Sequence, residues 1–249
     1  MRLSPSAKTD ETRRPAWLTA IPYAHRGLHG PGRIENSRAA FEAAIAAGLG
    51  IELDVQLSRD GEAVVFHDYE LDRLIGMAGR VRKMNLTELQ AMSLKGAQEN
   101  IPSLIEALHL IAGRTPVLIE MKAPGGRVGP LCRSVLCAVA PYAGNAAVMS
   151  FNPEVPRWFS RHAPQVTRGL VVTEKGKKGL RGRIERRLSL WRARPDFLAY
   201  DIRDLPSRFA SAERKRGLPV LTWTVPNRPD QEIAAIHADQ IIHELPSIG

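Results

Sequence analysis

The residues best suited to chemistry lie close together in IELDVQLSRDGEAVVFHD, residues 51–68, where two acids precede a turn and a histidine follows it. On an extended strand, residues two apart face the same side, so Glu52 and Asp54 point into one space. Two carboxylates so placed repel each other unless a cation lies between them. A third acid, Glu120, takes the same late position in the apolar run LIEMK. One such acid would serve as an ordinary strand-end cap or salt bridge. Three of them converging make a hard-oxygen site, suited to Mg²⁺ or Ca²⁺ rather than to a soft-ligand metal.

Two histidines stand near this group: His25, in AHRG, and His67, at the end of VVFHD. Near neutral pH one imidazole can accept a proton while its partner gives one up, the division of labour that cleavage of a phosphodiester requires. Arg26 offers a fork of N–H donors matched to phosphate oxygens, and Lys122, two residues beyond Glu120 on the same face, adds a point charge. A cation, Arg26 and Lys122 would together oppose charge developing on phosphorus. The remaining histidines read as structural or solvated, with His29 the nearest to the group in sequence.

The elements that must position these side chains follow from periodicity. Eight short apolar segments read as buried strands: residues 21–27, 50–56, 116–122, 146–152, 168–173, 196–202, 219–225 and 238–244. Most are separated by helical patterns, as in SRAAFEAAIAAG and IPSLIEALHLIAG. Alternation over this length predicts a parallel sheet, and eight units predict closure into a (β/α)8 barrel, the TIM barrel of the α/β class, for which a chain of 249 residues is long enough. A ninth candidate, AVVFHD (63–68), is too close to the second strand for a parallel crossover and reads as an antiparallel excursion turning at Asp60-Gly61. Residues of about 56–100 therefore form a small insertion after the second strand, over the barrel mouth, containing a short helix capped by Asn85 or Thr87. Residues 1–19 read as a flexible lead-in and residues 20–249 as a single domain.

Composition narrows the setting. Cys132 and Cys137 match neither a CxxC nor a zinc pattern, which suits a reducing compartment. No apolar signal region or 18-residue apolar run stands out, so the expectation is a soluble, cytoplasmic protein. The formal charge is +9, and residues 175–194 alone carry nine Lys or Arg against one acid. Within that segment Leu180, Ile184, Leu188 and Trp191 recur at helical spacing, which predicts an amphipathic helix with a basic outer face. The plain reading is a solvated outer helix. The sharper one is peripheral contact with an anionic membrane, or steering of an anionic substrate. No nucleic-acid module accompanies the charge, so no nucleic-acid partner is expected.

Taken in order, H-R-G, E-N, E-x-D-V-x-L-S-x-D-G, V-x-F-H-D, I-P-S-L-x-E-A-L, I-E-M-K, S-F and W-T-V resemble the glycerophosphodiester phosphodiesterase family from about Ala24 to Pro246. The resemblance implies a barrel with an insertion after its second strand, a divalent metal, and hydrolysis of a small-molecule glycerophosphodiester to glycerol 3-phosphate and an alcohol. It would assign His25 and His67 to acid–base catalysis, Glu52, Asp54 and Glu120 to the metal, and Arg26 and Lys122 to phosphate. It does not say which histidine is the base, nor whether water attacks directly or the substrate's own 2-hydroxyl forms a cyclic phosphate first. Glu35 and Asn36 also match, with Glu35 orienting Arg26 and Asn36 or Ser37 capping the next helix as their plain roles. Trp223 and Phe151 would wall the substrate pocket, or else fill the barrel as ordinary packing.

The chain departs from the family pattern where the substrate would be contacted. LDRLIGMAGR stands where the family usually has a Thr-containing run, Pro226 follows W-T-V, and His243 and Glu244 replace Thr and Asp in the last strand. A larger alcohol touching Leu74, Ile75 and Met77 would make a lysophospholipase D-like variant acting on lipid at a membrane. The reading from a different class is a non-catalytic membrane-binding module of the same fold.

Overall fold

The computed structural model describes residues 15–244. Its strands are β1 (Tyr23–Ala24), β2 (Gly50–Leu57), β3 (Ala63–Val65), β4 (Val117–Met121), β5 (Ala146–Ser150), β6 (Thr167–Val172), β7 (Phe197–Asp201), β8 (Val220–Val225) and β9 (Gln240–His243). The helices are α1 (Arg38–Ala46), α2 (Asp72–Ile75), α3 (Leu86–Gln90), α4 (Leu104–Ile111), α5 (Gly129–Val139), α6 (Glu154–His162), α7 (Leu180–Ala193), α8 (Arg208–Lys215) and α9 (Arg228–His237). All strands except β3 pair in parallel with their neighbours, and β1 pairs with both β2 and β9, which closes an eight-stranded barrel.

Period-two alternation sorts each strand into an inner and an outer face. Ile51, Leu53 and Val55 of β2, with Val117, Ile119 and Met121 of β4, pack outward against helices α1, α4 and α5. The inner face is layered. At the bottom Tyr23, Leu118, Ala147, Phe197, Leu221 and Ile242 fill the cylinder. The Tyr23 ring occupies the space above Gly50, where a Cβ would meet ring carbons at 2.5 Å. Continuing the same alternation upward, β2 presents Glu52 and Asp54 inward and β4 presents Glu120, with Asp54 level with Glu120 in the strand register.

The hairpin is antiparallel, pairing Val55 with Val65 and Leu57 with Ala63. It fits because β1, with two residues, leaves the upper part of that edge of β2 free. Gly61 turns it with φ of 92°, the left-handed region that glycine enters without cost. Beyond it the insertion has its own core of Val64, Phe66, Leu71, Val81, Leu89, Leu94 and Ile101. Asn85 caps α3 in a capping box with Glu88.

Three expectations need correction. Of the lead-in, residues 1–14 lie outside the described residues, but Ala16–Thr19 form a 3-10 turn rather than a flexible tail. Leu18 is buried there and accepts a hydrogen bond from the Tyr23 hydroxyl at 3.1 Å, so this turn plugs the barrel floor. Leu74 and Ile75 pack on the insertion's own core rather than facing a substrate cavity. The third concerns α7: its apolar stripe, expected to turn inward, faces outward.

Candidate active site

β2 and β4 carry the three acids to the C-terminal end of the barrel, where loop residues can reach them. Glu52, Asp54 and Glu120 are all buried, and one ligand oxygen from each lies within 4.8 Å of the others. Glu52 Oε2 accepts from the Arg26 backbone N–H at 3.0 Å, whereas its buried Oε1 has no hydrogen-bond partner among the described residues. Burial and the fields of Asp54 and Glu120 push the Glu52 carboxyl well above its usual range. Glu120 is raised as well, chiefly by burial. An unsatisfied buried oxygen inside an all-oxygen cluster is what a hard divalent cation would relieve, so the residues present fit one.

Asp54 behaves differently because it is surrounded by donors. Asn36 Nδ2 donates to its Oδ2 at 3.0 Å, Arg26 Nε lies 3.3 Å from the same oxygen, and Lys122 Nζ lies 2.9 Å from Oδ1. Burial works against the charged form, but Lys122, His67 and Arg26 outweigh it and hold the Asp54 carboxyl down at about 2. Lys122 also bonds Glu120 Oε1 at 2.5 Å. Both cations expected to face phosphate are thus engaged with carboxylates: Lys122 bridges Asp54 and Glu120, and Arg26 spans Asp54 and Glu35, the latter at 2.7 Å. Glu35 orients Arg26 as expected.

His25 and Arg26 follow β1 rather than ending it. Arg26 and Gly27 have φ of 56° and 75°, so the chain swings sharply across the rim. A Cβ on Gly27 would also meet the Ala40 backbone at 2.9 Å, which makes the glycine of H-R-G a packing requirement as well as a conformational one. His25 Nδ1 lies 3.4 Å from Glu244 Oε2, and His29 Nε2 lies 3.2 Å from Glu244 Oε1. His67 is held on both sides: its Nδ1 is 2.7 Å from Asp68 Oδ1, and Gln56 Nε2 donates to the carbonyls of Phe66 and Asp68 at 2.9 and 2.6 Å. Arg73 then ties Asp68 to Glu35, so one chain of charges runs from His67 to Asp54. Burial, with help from Lys122 and Arg26, lowers the His67 imidazole from its usual value despite the opposing pull of Asp54.

His67, Asp68, Tyr69, Arg73, Glu120, Lys122 and Phe151 line a cavity of about 590 Å³. His25, His29, His243 and Glu244 line a separate one of about 230 Å³. The two histidines thus face different cavities, His67 the larger and His25 the smaller. Trp223 packs edge-on against Phe151, ring centres 5.4 Å apart, while its Nε1 donates to the Ala199 carbonyl, so Phe151 walls the larger cavity and Trp223 backs it.

Asn36, Gln56, Asp68, Arg73 and Glu244 were missed as site residues. For Gln56 a signal existed: it is the next inward position on β2 after Glu52 and Asp54. For Glu244 the signal was its place at the C-terminal end of the last strand. The expected choice between Asn36 and Ser37 as helix cap resolves to Ser37, whose hydroxyl accepts from Ala40 N–H at 3.2 Å, leaving Asn36 to Asp54.

Residues 25–245 match the model of the glycerophosphoryl diester phosphodiesterase family. A glycerophosphodiester phosphodiesterase of Caldanaerobacter subterraneus is 30% identical over 230 residues, covering 86% of this chain and 89% of that one. Among solved structures, the glycerophosphodiester phosphodiesterase of Thermotoga maritima aligns with a TM-score of 0.73 at 25% identity, over 90% of this chain and 94% of that one. An Oleispira antarctica phosphodiesterase, solved with the product sn-glycerol-3-phosphate, has a TM-score of 0.80 at 24% identity over 91% and 94%, a likeness of fold.

Proposed function

The chain belongs to the glycerophosphoryl diester phosphodiesterase family and is an enzyme of that activity, and from this premise we propose how its residues divide the work. The reaction proposed is hydrolysis of a glycerophosphodiester to glycerol 3-phosphate and an alcohol, with a divalent cation, Mg²⁺ or Ca²⁺, held by Glu52, Asp54 and Glu120. The observation that carries it is the buried acid trio with one oxygen of Glu52 left unsatisfied. Bound there, the cation would supply Lewis-acid charge to a phosphoryl oxygen.

The remaining work falls to side chains. His67 is the general base: its lowered pKa keeps the ring neutral near pH 7, and Asp68 takes the Nδ1 side, leaving Nε2 to accept a proton. The attacking oxygen, from water or from the substrate's own 2-hydroxyl, bonds to phosphorus as that proton leaves. The bond from phosphorus to the alcohol oxygen breaks, and His25, braced by Glu244, donates a proton to the departing oxygen. In the 2-hydroxyl route water then opens the cyclic phosphate, so both routes consume one water. Arg26 and Lys122, engaged with carboxylates here, would turn to the phosphate oxygens if a bound cation shared those carboxylates. Phe151 and Trp223 form the wall facing the glycerol or alcohol.

A headgroup panel tests this reading. Glycerophosphocholine and glycerophosphoethanolamine should be cleaved with Mg²⁺ or Ca²⁺ present, and Glu52→Ala and His67→Ala should each lose at least about a hundredfold in kcat/KM. Full turnover in either variant would remove that residue from its role. Accumulation of a cyclic phosphate would select the 2-hydroxyl route over direct attack.

A further inference from the structure

Helix α7 faces the opposite way from an ordinary outer helix of a barrel, which turns leucines inward and arginines outward. Leu180, Ile184, Leu188 and Trp191 are 65%, 50%, 58% and 70% exposed. At 3.6 residues per turn the four fall within about 80° of arc, roughly opposite Gly182, Arg186 and Ala193. Those three are the residues α7 buries. The small ones let the helix lie close to its neighbours: a Cβ on Gly182 would collide with the Lys177 carbonyl. Among the described residues, half or more of each side chain in the stripe is left uncovered.

Its flanks are basic. By the same geometry Arg183 and Arg187 border the stripe on one side, and Arg181 and Arg192 on the other. Arg192 pairs with Glu154, but Arg181, Arg183 and Arg187 have no ion-pair partner among the described residues. Behind them a cavity of about 450 Å³ between α7 and α8 is lined by Lys178, Arg183, Arg186, Arg187 and Arg208. Its acids are already engaged, Glu174 by Arg186, Asp204 by Lys178 and Glu213 by Arg216. Arg186 is buried, and its Nε has no hydrogen-bond partner among the described residues. This surface therefore combines outward aliphatic and indole groups with an excess of unpaired cations.

We propose that α7 is an interfacial helix that docks the barrel on an anionic lipid surface. The stripe would lie at the acyl boundary, with Trp191 at headgroup level and the arginines against lipid phosphates. Charge decides against a second copy of this chain, because a two-fold contact would set this strongly basic segment against itself. Because α7 follows the C-terminal end of β6, its first turn starts from the same rim as the acid trio.

Co-sedimentation of the full chain with phosphatidylglycerol-rich vesicles, against pure phosphatidylcholine vesicles, tests the proposal. Binding to the anionic vesicles, reversed by high salt, is expected. The combined variant Ile184→Ser, Leu188→Ser and Trp191→Ser should partition at least about tenfold more weakly, with turnover of soluble glycerophosphocholine unchanged. Arg181→Glu with Arg187→Glu should lose the preference for anionic lipid while keeping the stripe. These positions are exposed, so the fold should tolerate the changes. Equal partitioning of wild type and both variants would overturn the proposal. So would failure to bind vesicles at low salt together with a self-associated species that the triple variant abolishes, which would assign the stripe to a protein interface.

Discussion

Asn36 holds Asp54 at two points, its side-chain oxygen accepting from the Asp54 backbone N–H at 3.2 Å and its Nδ2 donating to the carboxylate at 3.0 Å. It does so from a left-handed conformation, φ 57°, that Asn tolerates better than most residues. Asn36→Ala should therefore lower both thermal stability, by roughly 1–3 kcal/mol, and turnover. Calorimetry and kcat/KM measured together would check this, since loss of stability alone would limit Asn36 to a structural role. Arg73 affords a test in pH. It is a cation close to the Asp68 partner of His67, so Arg73→Gln removes positive charge from around the imidazole, raises its pKa and moves the acid limb of the kcat/KM profile to higher pH. An unmoved limb would mean that another group sets it. At this scale the sequence disclosed Glu52, Asp54 and His67 because their spacing is local, and Glu120 because it takes the same late position in its own apolar run. The pairings of Asn36 with Asp54, of Glu244 with His25 and of Arg73 with Glu35 stayed hidden because each joins residues well separated along the chain, and only the folded barrel brings them within bonding distance.

The second strand and its hairpin do most of the positioning. β2 carries two acids and Gln56 on one face, and the antiparallel return through β3 delivers His67 to the same end. Alternation and a short turn made this arrangement readable before any coordinates. Helix α7 was readable only in part, for a physical reason. Helical period says which residues share a face, but not which face meets the barrel; here the small residues Gly182 and Ala193 and the buried, ion-paired Arg186 take the inner side. The first turn after β1 yields the prediction for this scale. Gly27→Ala must adopt φ near 75° and push into the Ala40 backbone, so it should cost roughly 2 kcal/mol or more in urea unfolding. Because His25 and Arg26 ride on that turn, kcat should fall with it; an unchanged kcat would show that the turn adjusts without disturbing His25.

Closing eight strands into a cylinder forces three carboxylates into one dry space, and the molecule bears that cost in its metal-free form. Glu52 has a raised folded-state pKa, so the folded chain holds that proton more tightly than the unfolded one does. Its effect is thus a loss of stability as pH rises from the ordinary carboxylate range up through the raised folded-state value, whereas the depressed Asp54 loses its contribution only as pH falls toward about 2. Glu52→Gln should raise the Tm of metal-free protein at neutral pH and weaken the further rise that added cation gives to wild type. A lower Tm for the variant, with the cation response intact, would place the cation elsewhere. The barrel itself was evident from eight apolar segments of similar length; the plug formed by Ala16–Thr19 was not, because three apolar residues in a single short turn are too few to show a period. The account rests most heavily on the acid trio. Its most direct test is the rate at which chelator-stripped protein forms glycerol 3-phosphate from glycerophosphocholine, before and after Mg²⁺ or Ca²⁺ is restored. Turnover should fall to background and return with the cation in wild type but not in Glu120→Gln; undiminished turnover by the stripped protein would contradict it.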